Sequence, residues 1–299
     1  MTSFHAYIAI DWSGAQELHT SSIALAEALA DKKKVTLIAP PEKQWSRSSV
    51  ATWILRQADC SKRLLIGIDS NLGYAAGFLK TRLPKLKKAQ ELWQIIDEHC
   101  QGEENFYAST FWKESLFCHD FWTQGKQPSS FSSLRRQTEL ACRAECLGTP
   151  ESPLKLLGAK QVGKGGLAAM RMAHFLKKEL QEKIAFWPFD TSASCSRATI
   201  VVTEIYPRLF LQRANSGSSK IRSMEKLKEL LFFYQSTSCK MNNLSDHQAD
   251  ALATAAGMRY FLKKNPSLFN IEECPLLLQQ QLQVEGWILG APFPKKEKP

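Results

Sequence analysis

The sequence predicts an α/β protein: a mixed sheet flanked by helices and interrupted by a mostly helical insertion. Three observations point there. Short, continuous apolar runs compatible with buried strands end directly in an acid at Asp11, Asp69 and Glu204. Helices with readable caps alternate with those runs, and between residues 78 and 190 the texture turns helical, aromatic and Lys-rich. At about 150 residues per domain, 299 residues make two domains, or one with a large insertion. The expected division is a core of residues 1–77 and 191–299 around an insertion at 78–190.

In chain order, residues 7–10 form a continuous apolar strand ending at Asp11, and Ser13 and Gly14 turn the chain. Residues 22–26 and 35–39 supply two hairpin-linked strands, with a polar turn at 31–33 and a stop at Pro40 and Pro41. Ser48 and Ser49 are placed to cap a helix carrying Val50, Trp53, Ile54 and Gln57, and residues 64–68 return as a strand. Strand character reappears at 199–203 before Glu204, and an amphipathic helix at 224–234 follows the Ser/Gly-rich loop 215–219. Ser245 with Gln248 forms a capping box, and Lys263, Lys264, Asn265 and Pro266 close the helix that it opens. The Lys-rich tail from Lys295 reads as a solvated terminus.

Hydrophobic residues at 44% and charged residues at 23% are those of an ordinary globular chain, which excludes long disorder and fibrous repeats. No apolar run approaches the roughly 18 residues a membrane span needs, and residues 1–11 lack a basic segment ahead of a long apolar stretch. Eight cysteines without a Cys-x-x-Cys pair suit reduced thiols and a cytoplasmic protein. The net charge of +10 favours an acidic partner such as nucleic acid, DNA or RNA, although an enzyme with a basic surface accounts for it about equally.

An acid at the carboxyl end of a central strand sits at the mouth of an α/β sheet, where ligands bind. Asp11 and Asp69 occupy that position, and Glu204 repeats it before Pro207. On the last strong helix Asp246 and Asp250 lie four residues apart, on one face that continues through Ala253 and Gly257. Asp246 in the first turn is equally well an ordinary partner of the helix dipole, whereas Asp250 on an Ala/Gly face asks for a metal or a partner. Clustered carboxylates repel unless a divalent cation sits among them, and oxygen ligands suit Mg2+ or Mn2+. Two such ions support in-line hydrolysis of a phosphodiester.

The segments "IAIDWSGA", "LIGIDSNLGY", "KIAFWPFD", "TEIYPRLF", "SDHQADALATAAGMRY" and "EGWILGA", in that order along most of the chain, resemble the domain of unknown function 429 family, predicted nucleases of ribonuclease H-like fold. The resemblance implies a ribonuclease H-like mixed sheet and a metal-dependent nuclease. Carried over by position, it makes Asp11 and Asp69 the strand acids and Asp246 and Asp250 the helix acids, with Glu204 a further ligand. The expected catalytic set is Asp11, Asp69, Glu204 and Asp250, and the expected metal set is Asp11, Asp69, Asp246 and Asp250.

Residues 158–164 have the glycine and lysine spacing of a phosphate-binding loop, but Gly165 stands where Ser or Thr would hold Mg2+. A plain glycine-rich turn is the commonest explanation. A substrate-phosphate contact from Gly163 and Lys164 comes second, because a helix starts there. The aromatic cluster at 106–122 reads as core of the insertion before it reads as a stacking platform, and His247 as solvent-facing before it reads as a proton carrier. Two other classes of function stay open: a nucleic-acid-binding protein on an inactive ribonuclease H-like fold, and a nucleotide-dependent phosphotransferase.

Overall fold

The computed structural model describes residues 3–129, 131, 134–158, 162–215, 221–238, 241, 243–269, 271, 274 and 276–293. Its centre is β1 (Ala6–Asp11), six residues buried without exception. β2 (Ala24–Leu29) and β3 (Lys34–Ile38) follow as an antiparallel meander. α1 (Arg47–Gln57) then crosses to β4 (Leu64–Ile68), which lies parallel to β1 on its other side. The helix is capped by Ser46 rather than by Ser48 or Ser49: Ser46 accepts the Ser49 amide, and Ser49 returns the bond as the third helical residue.

Five helices follow: α2 (Ala76–Arg82), α3 (Ala89–His99), α4 (Ser109–Glu114), α5 (Gln137–Ala144) and α6 (Gly163–Leu180). The chain re-enters the sheet at β5 (Ile184–Trp187), inside the segment expected to be insertion. Four apolar residues directly after a helix offer no periodicity of their own, so the boundary read from texture falls too late. α7 (Ser192–Arg197) leads to β6 (Ile200–Glu204), then α8 (Pro207–Arg213), α9 (Met224–Phe233), the short β7 (Thr237–Ser238), α10 (Asp246–Lys264) and α11 (Leu276–Glu285). Residues 216–219 of the Ser/Gly-rich loop, 159–161 of the glycine-lysine loop and the tail from 294 lie outside the described residues.

The seven-stranded sheet runs β5-β6-β4-β1-β2-β3-β7, with β2 alone antiparallel to its neighbours. This is a mixed sheet flanked by helices, the α/β arrangement expected from the strand pattern. Because side chains alternate along a strand, β1 faces two ways. Ile8 and Ile10 pack with α1, α3 and α6, while Tyr7 and Ala9 pack with α8, α9 and α10. α10 lies against β1, β2 and β3, and its small residues set how closely it approaches. On the sheet side a Cβ at Gly67 would meet Met258 Sδ at 2.9 Å and Ile205 at 2.4 Å, so that contact depends on a bare backbone. The insertion aromatics are core: Phe111, Phe117 and Phe121 are buried and pack ring against ring with Tyr74 and Phe78.

Candidate functional site

Asp11 ends β1, and Asp69 follows β4 immediately, with its amide donating to Ile10 O at 2.9 Å. The parallel register pairs Ile10 with Ile68, so the two acids emerge side by side at one end of the sheet. Strand alternation turns both toward α10. There the Ser245–Gln248 capping box fixes the start of the helix and with it the position of His247, whose Nδ1 stands 3.0 Å from Asp11 Oδ1. Asp250 lies on the same helix a turn deeper. Asp69 holds its proton well above the ordinary carboxylate range, first because its carboxyl is desolvated, then because Asp11 and Asp250 are negative beside it. Two adjacent strands and one helix thus bring three carboxylates within reach of one another's charge.

The remaining expected ligands go elsewhere. Asp246 points at Arg222, 3.5 Å from its Nε, and is not among the charges that act on Asp69. Glu204 sits at the strand-end position expected of it, but its Oε1 accepts from Arg136 Nη1 and from the Leu72 amide, each at 2.7 Å. Arg136 also binds Glu139 at 2.6 Å and the Glu285 carbonyl at 2.6 Å, and all four residues are buried. Glu285 in turn accepts from the amides of Ala76 and Gln137. Glu204 is therefore part of a buried clamp on the loop after β4, three residues beyond Asp69, and holds that acid in place by way of the backbone. Arg136 and the Leu72 amide engage Oε1, while Glu204 Oε2 is buried with no hydrogen-bond partner among the described residues.

The first turn of α6 meets the loops that follow both acids. Trp12 Nε1 donates to Gly165 O at 3.0 Å, and a Cβ on Gly14 would fall 2.4 Å from Gly165 N, so only glycine allows this approach. The Gly163 amide is engaged with Lys155 O at 3.0 Å and faces the insertion. Gly163 is thus turned away from the acids, while Lys164 and Gly165 abut the loop after β1. Lys164 Nζ lies over the Trp112 ring at 5.6 Å, and no side chain caps the helix. Arg47, fully buried, secures the same loop by donating to Ser13 O and Ala15 O.

Two residues beside the acids, and a third next to one of them, are not singled out by the sequence or are read otherwise. His247 pairs with Asp11 instead of facing solvent; its adjacency to two helix acids was the available signal. Tyr206 has its phenol pushed up to about 12 by burial and then by the charge of Asp69, which places it at the far flank of the cluster. Arg208, two residues on, acts on Tyr206 in the opposite sense, and its Nη1 is buried with no hydrogen bond among the described residues. Nothing in the local pattern distinguishes Arg208 from any helix arginine.

The donor set offered by Asp11, Asp69 and Asp250, oxygen atoms with one imidazole alongside, has the chemistry of an Mg2+ or Mn2+ site. The raised proton affinity of Asp69 records its desolvation first and its repulsion from Asp11 and Asp250 second. Among the described residues no group of three or more His, Cys, Asp or Glu side chains is disposed to hold a metal ion as it stands. No described helix is long and apolar enough to cross a membrane. The chain matches no family model, no curated protein and no solved structure.

Proposed function

We propose that the protein is a metal-dependent nuclease of the ribonuclease H-like kind, hydrolysing nucleic-acid phosphodiesters with Mg2+ or Mn2+ held by Asp11, Asp69 and Asp250. One observation carries the reading: two strand-end acids and one helix acid stand at the mouth of a mixed sheet, close enough that Asp11 and Asp250 add to the rise in Asp69 proton affinity that burial begins. The bound cation supplies water activation and stabilisation of the leaving oxygen. The chain's own residues do the rest. His247, held by Asp11, takes a proton from the attacking water or returns one to the leaving group. Lys164 and the start of α6 on one flank, and Arg208 on the other, neutralise phosphate charge. The net charge of +10 supports a polyanionic substrate.

The test is a panel of labelled DNA and RNA substrates, single-stranded, duplex and branched, incubated with Mg2+, Mn2+ or EDTA. Metal-dependent cleavage by the parent, with at least a hundredfold loss in Asp11→Asn, is the expected result. Binding without cleavage in Mn2+ favours the inactive-fold alternative, and ATP turnover without nucleic acid favours a phosphotransferase.

A further inference from the structure

The flank of the acid cluster away from Asp11 is built by β6 and by the insertion. The Ile205 amide donates to Ile68 O at 3.0 Å, so the chain leaving β6 runs beside the chain that carries Asp69. Ile205 and Tyr206 pack in the apolar layer that holds α8 and α10, on the face toward which Asp11 and Asp69 turn. Tyr206 is half-buried, and Arg208 follows it in the first turn of α8.

The insertion reaches this flank through the end of α5. The Leu147 amide donates to Cys142 O at 2.8 Å and the Cys146 amide to Arg143 O at 3.2 Å, the paired bonds of a helix stop with its left-handed residue at Cys146. This stop delivers the chain onto the tyrosine. Gly148, at a φ of +108°, lies so close that a Cβ on it would stand 2.8 Å from Tyr206 Cε1, 3.0 Å from the phenol oxygen and 3.0 Å from Arg208 Cγ. The next residue, Thr149, donates its amide to the same phenol oxygen.

That bond uses the oxygen as an acceptor and leaves the hydroxyl hydrogen to donate. The phenol keeps the hydrogen, because burial and then the charge of Asp69 push it up to about 12. Asp69 acts on it through charge alone; no hydrogen bond joins the two side chains, so the hydrogen is not committed to that carboxyl. Beside it, Arg208 Nη1 is buried with no acceptor among the described residues. Two donors without acceptors, one of them cationic, call for an oxyanion.

We propose that Tyr206 is a phosphate-binding residue of the acid site, its hydroxyl donating to a non-bridging oxygen of the phosphate that Arg208 neutralises, with Gly148 and Thr149 of the insertion as the positioning residues that aim it. The proposal rests on the nuclease reading and adds to it a task for the insertion at the substrate. A neutral ligand would leave the guanidinium unmatched, and a bare anion would be repelled by Asp69. A phosphate that shares a cation with the acids meets both conditions.

The experiment titrates inorganic phosphate calorimetrically into the parent and its variants in Mg2+, and assays the same proteins for Mn2+-dependent cleavage of labelled DNA and RNA. Tyr206→Phe keeps the ring, so it should melt within about 1 °C of the parent. It should bind phosphate about tenfold more weakly and lose about tenfold in kcat/KM, the scale of one hydrogen bond to a charged group. Gly148→Ala should weaken phosphate binding through the same hydroxyl, so the double variant should lose far less than the product of the two single losses. Independent losses would overturn the positioning role. If Tyr206→Phe binds phosphate as the parent does, or the parent binds none in Mg2+, the phosphate contact is overturned, and cleavage by the parent leaves the nuclease reading standing. If phosphate binding depends on the Tyr206 hydroxyl while no metal supports cleavage, the phosphate contact is supported and the nuclease reading fails.

Discussion

Replacing Asp69 with Asn removes one of three neighbouring charges at almost constant shape, and the metal-free protein should become more stable. Two unit charges about 5 Å apart at an effective dielectric constant of about 20 repel by about 3 kcal/mol. Asp69 is half-buried, and solvent at the mouth of the sheet screens part of that, leaving a gain of about 1–2 kcal/mol. An unfolding entropy of about 2.1 cal/mol/K per residue makes ~0.6 kcal/mol/K for 299 residues, or about 1.6 °C per kcal/mol. The expected rise in Tm in EDTA at pH 8 is about 2–3 °C.

The pH dependence has a definite sign. The proton affinity of Asp69 is higher in the folded chain than in the unfolded one, so between the two values the native state holds a proton that the unfolded state has released. Stability of the parent therefore falls as pH rises from about 4, the unfolded value, through the folded value, and levels off above it. The advantage of Asp69→Asn should vanish near pH 4 and reach its full size only above the folded value. Mn2+ should raise the Tm of the parent by mass action and that of the variant much less. Melting followed by circular dichroism from pH 4 to 9, with EDTA or Mn2+, reads all of this. A variant that melts well below the parent in EDTA at pH 8, or that gains as much from Mn2+, would show the Asp69 carboxylate to be a structural hydrogen-bonding group.

Other outcomes follow from the same contacts. Arg136→Met leaves Glu139 and Glu204 buried without their cation and should cost about 3–5 kcal/mol, a Tm about 5–8 °C lower by the conversion above. His247→Gln should lower cleavage about 10²- to 10⁴-fold and remove one limb of the pH–rate profile, while binding of the strand in EDTA is unchanged. Arg208→Ala should leave Tm within about 1 °C of the parent, because its Nη1 makes no hydrogen bond to lose, and should raise KM or lower kcat about tenfold or more. Thermal melting and single-turnover cleavage separate the two effects.

Much of the fold was legible because both periodicities are local. Residues 64–68 form the strand expected of them, and α10 starts at Asp246 behind the Ser245–Gln248 box and ends at Lys264 beside the cationic stop. Elements without periodicity were harder to bound. The chain returns to the sheet at β5, earlier than its texture implies, and α1 is capped at Ser46 rather than at Ser48 or Ser49, because three serines in a row of four offer the same hydroxyl and only backbone direction selects one. The acids divide along a similar line. Asp11, Asp69 and Glu204 share one sequence signature, an acid at the end of an apolar run, and the structure gives each a strand end. What separates them is the chemistry arriving from elsewhere in the chain: α10 brings His247 and Asp250 to the first two, and the start of α5 brings Arg136 to the third.

That difference bears on how the acid site is kept in place. A carboxylate proposed to meet a cation has oxygens that are not all committed to structural bonds, so much of its geometry has to come from its backbone. For Asp11 this comes from the middle of a sheet paired on both sides. For Asp69, one residue past its strand, it comes from the loop behind it, where Glu204 receives the Leu72 amide and Glu285 receives the Ala76 amide, both tied to Arg136. The buried clamp uses two glutamates and an arginine to fix the backbone behind Asp69, so that its position does not depend on bonds made by its own carboxyl. An arginine from the insertion thus supports a core acid that it never touches, which is why Arg136→Met should disturb cleavage as well as stability although it stands outside the reacting groups.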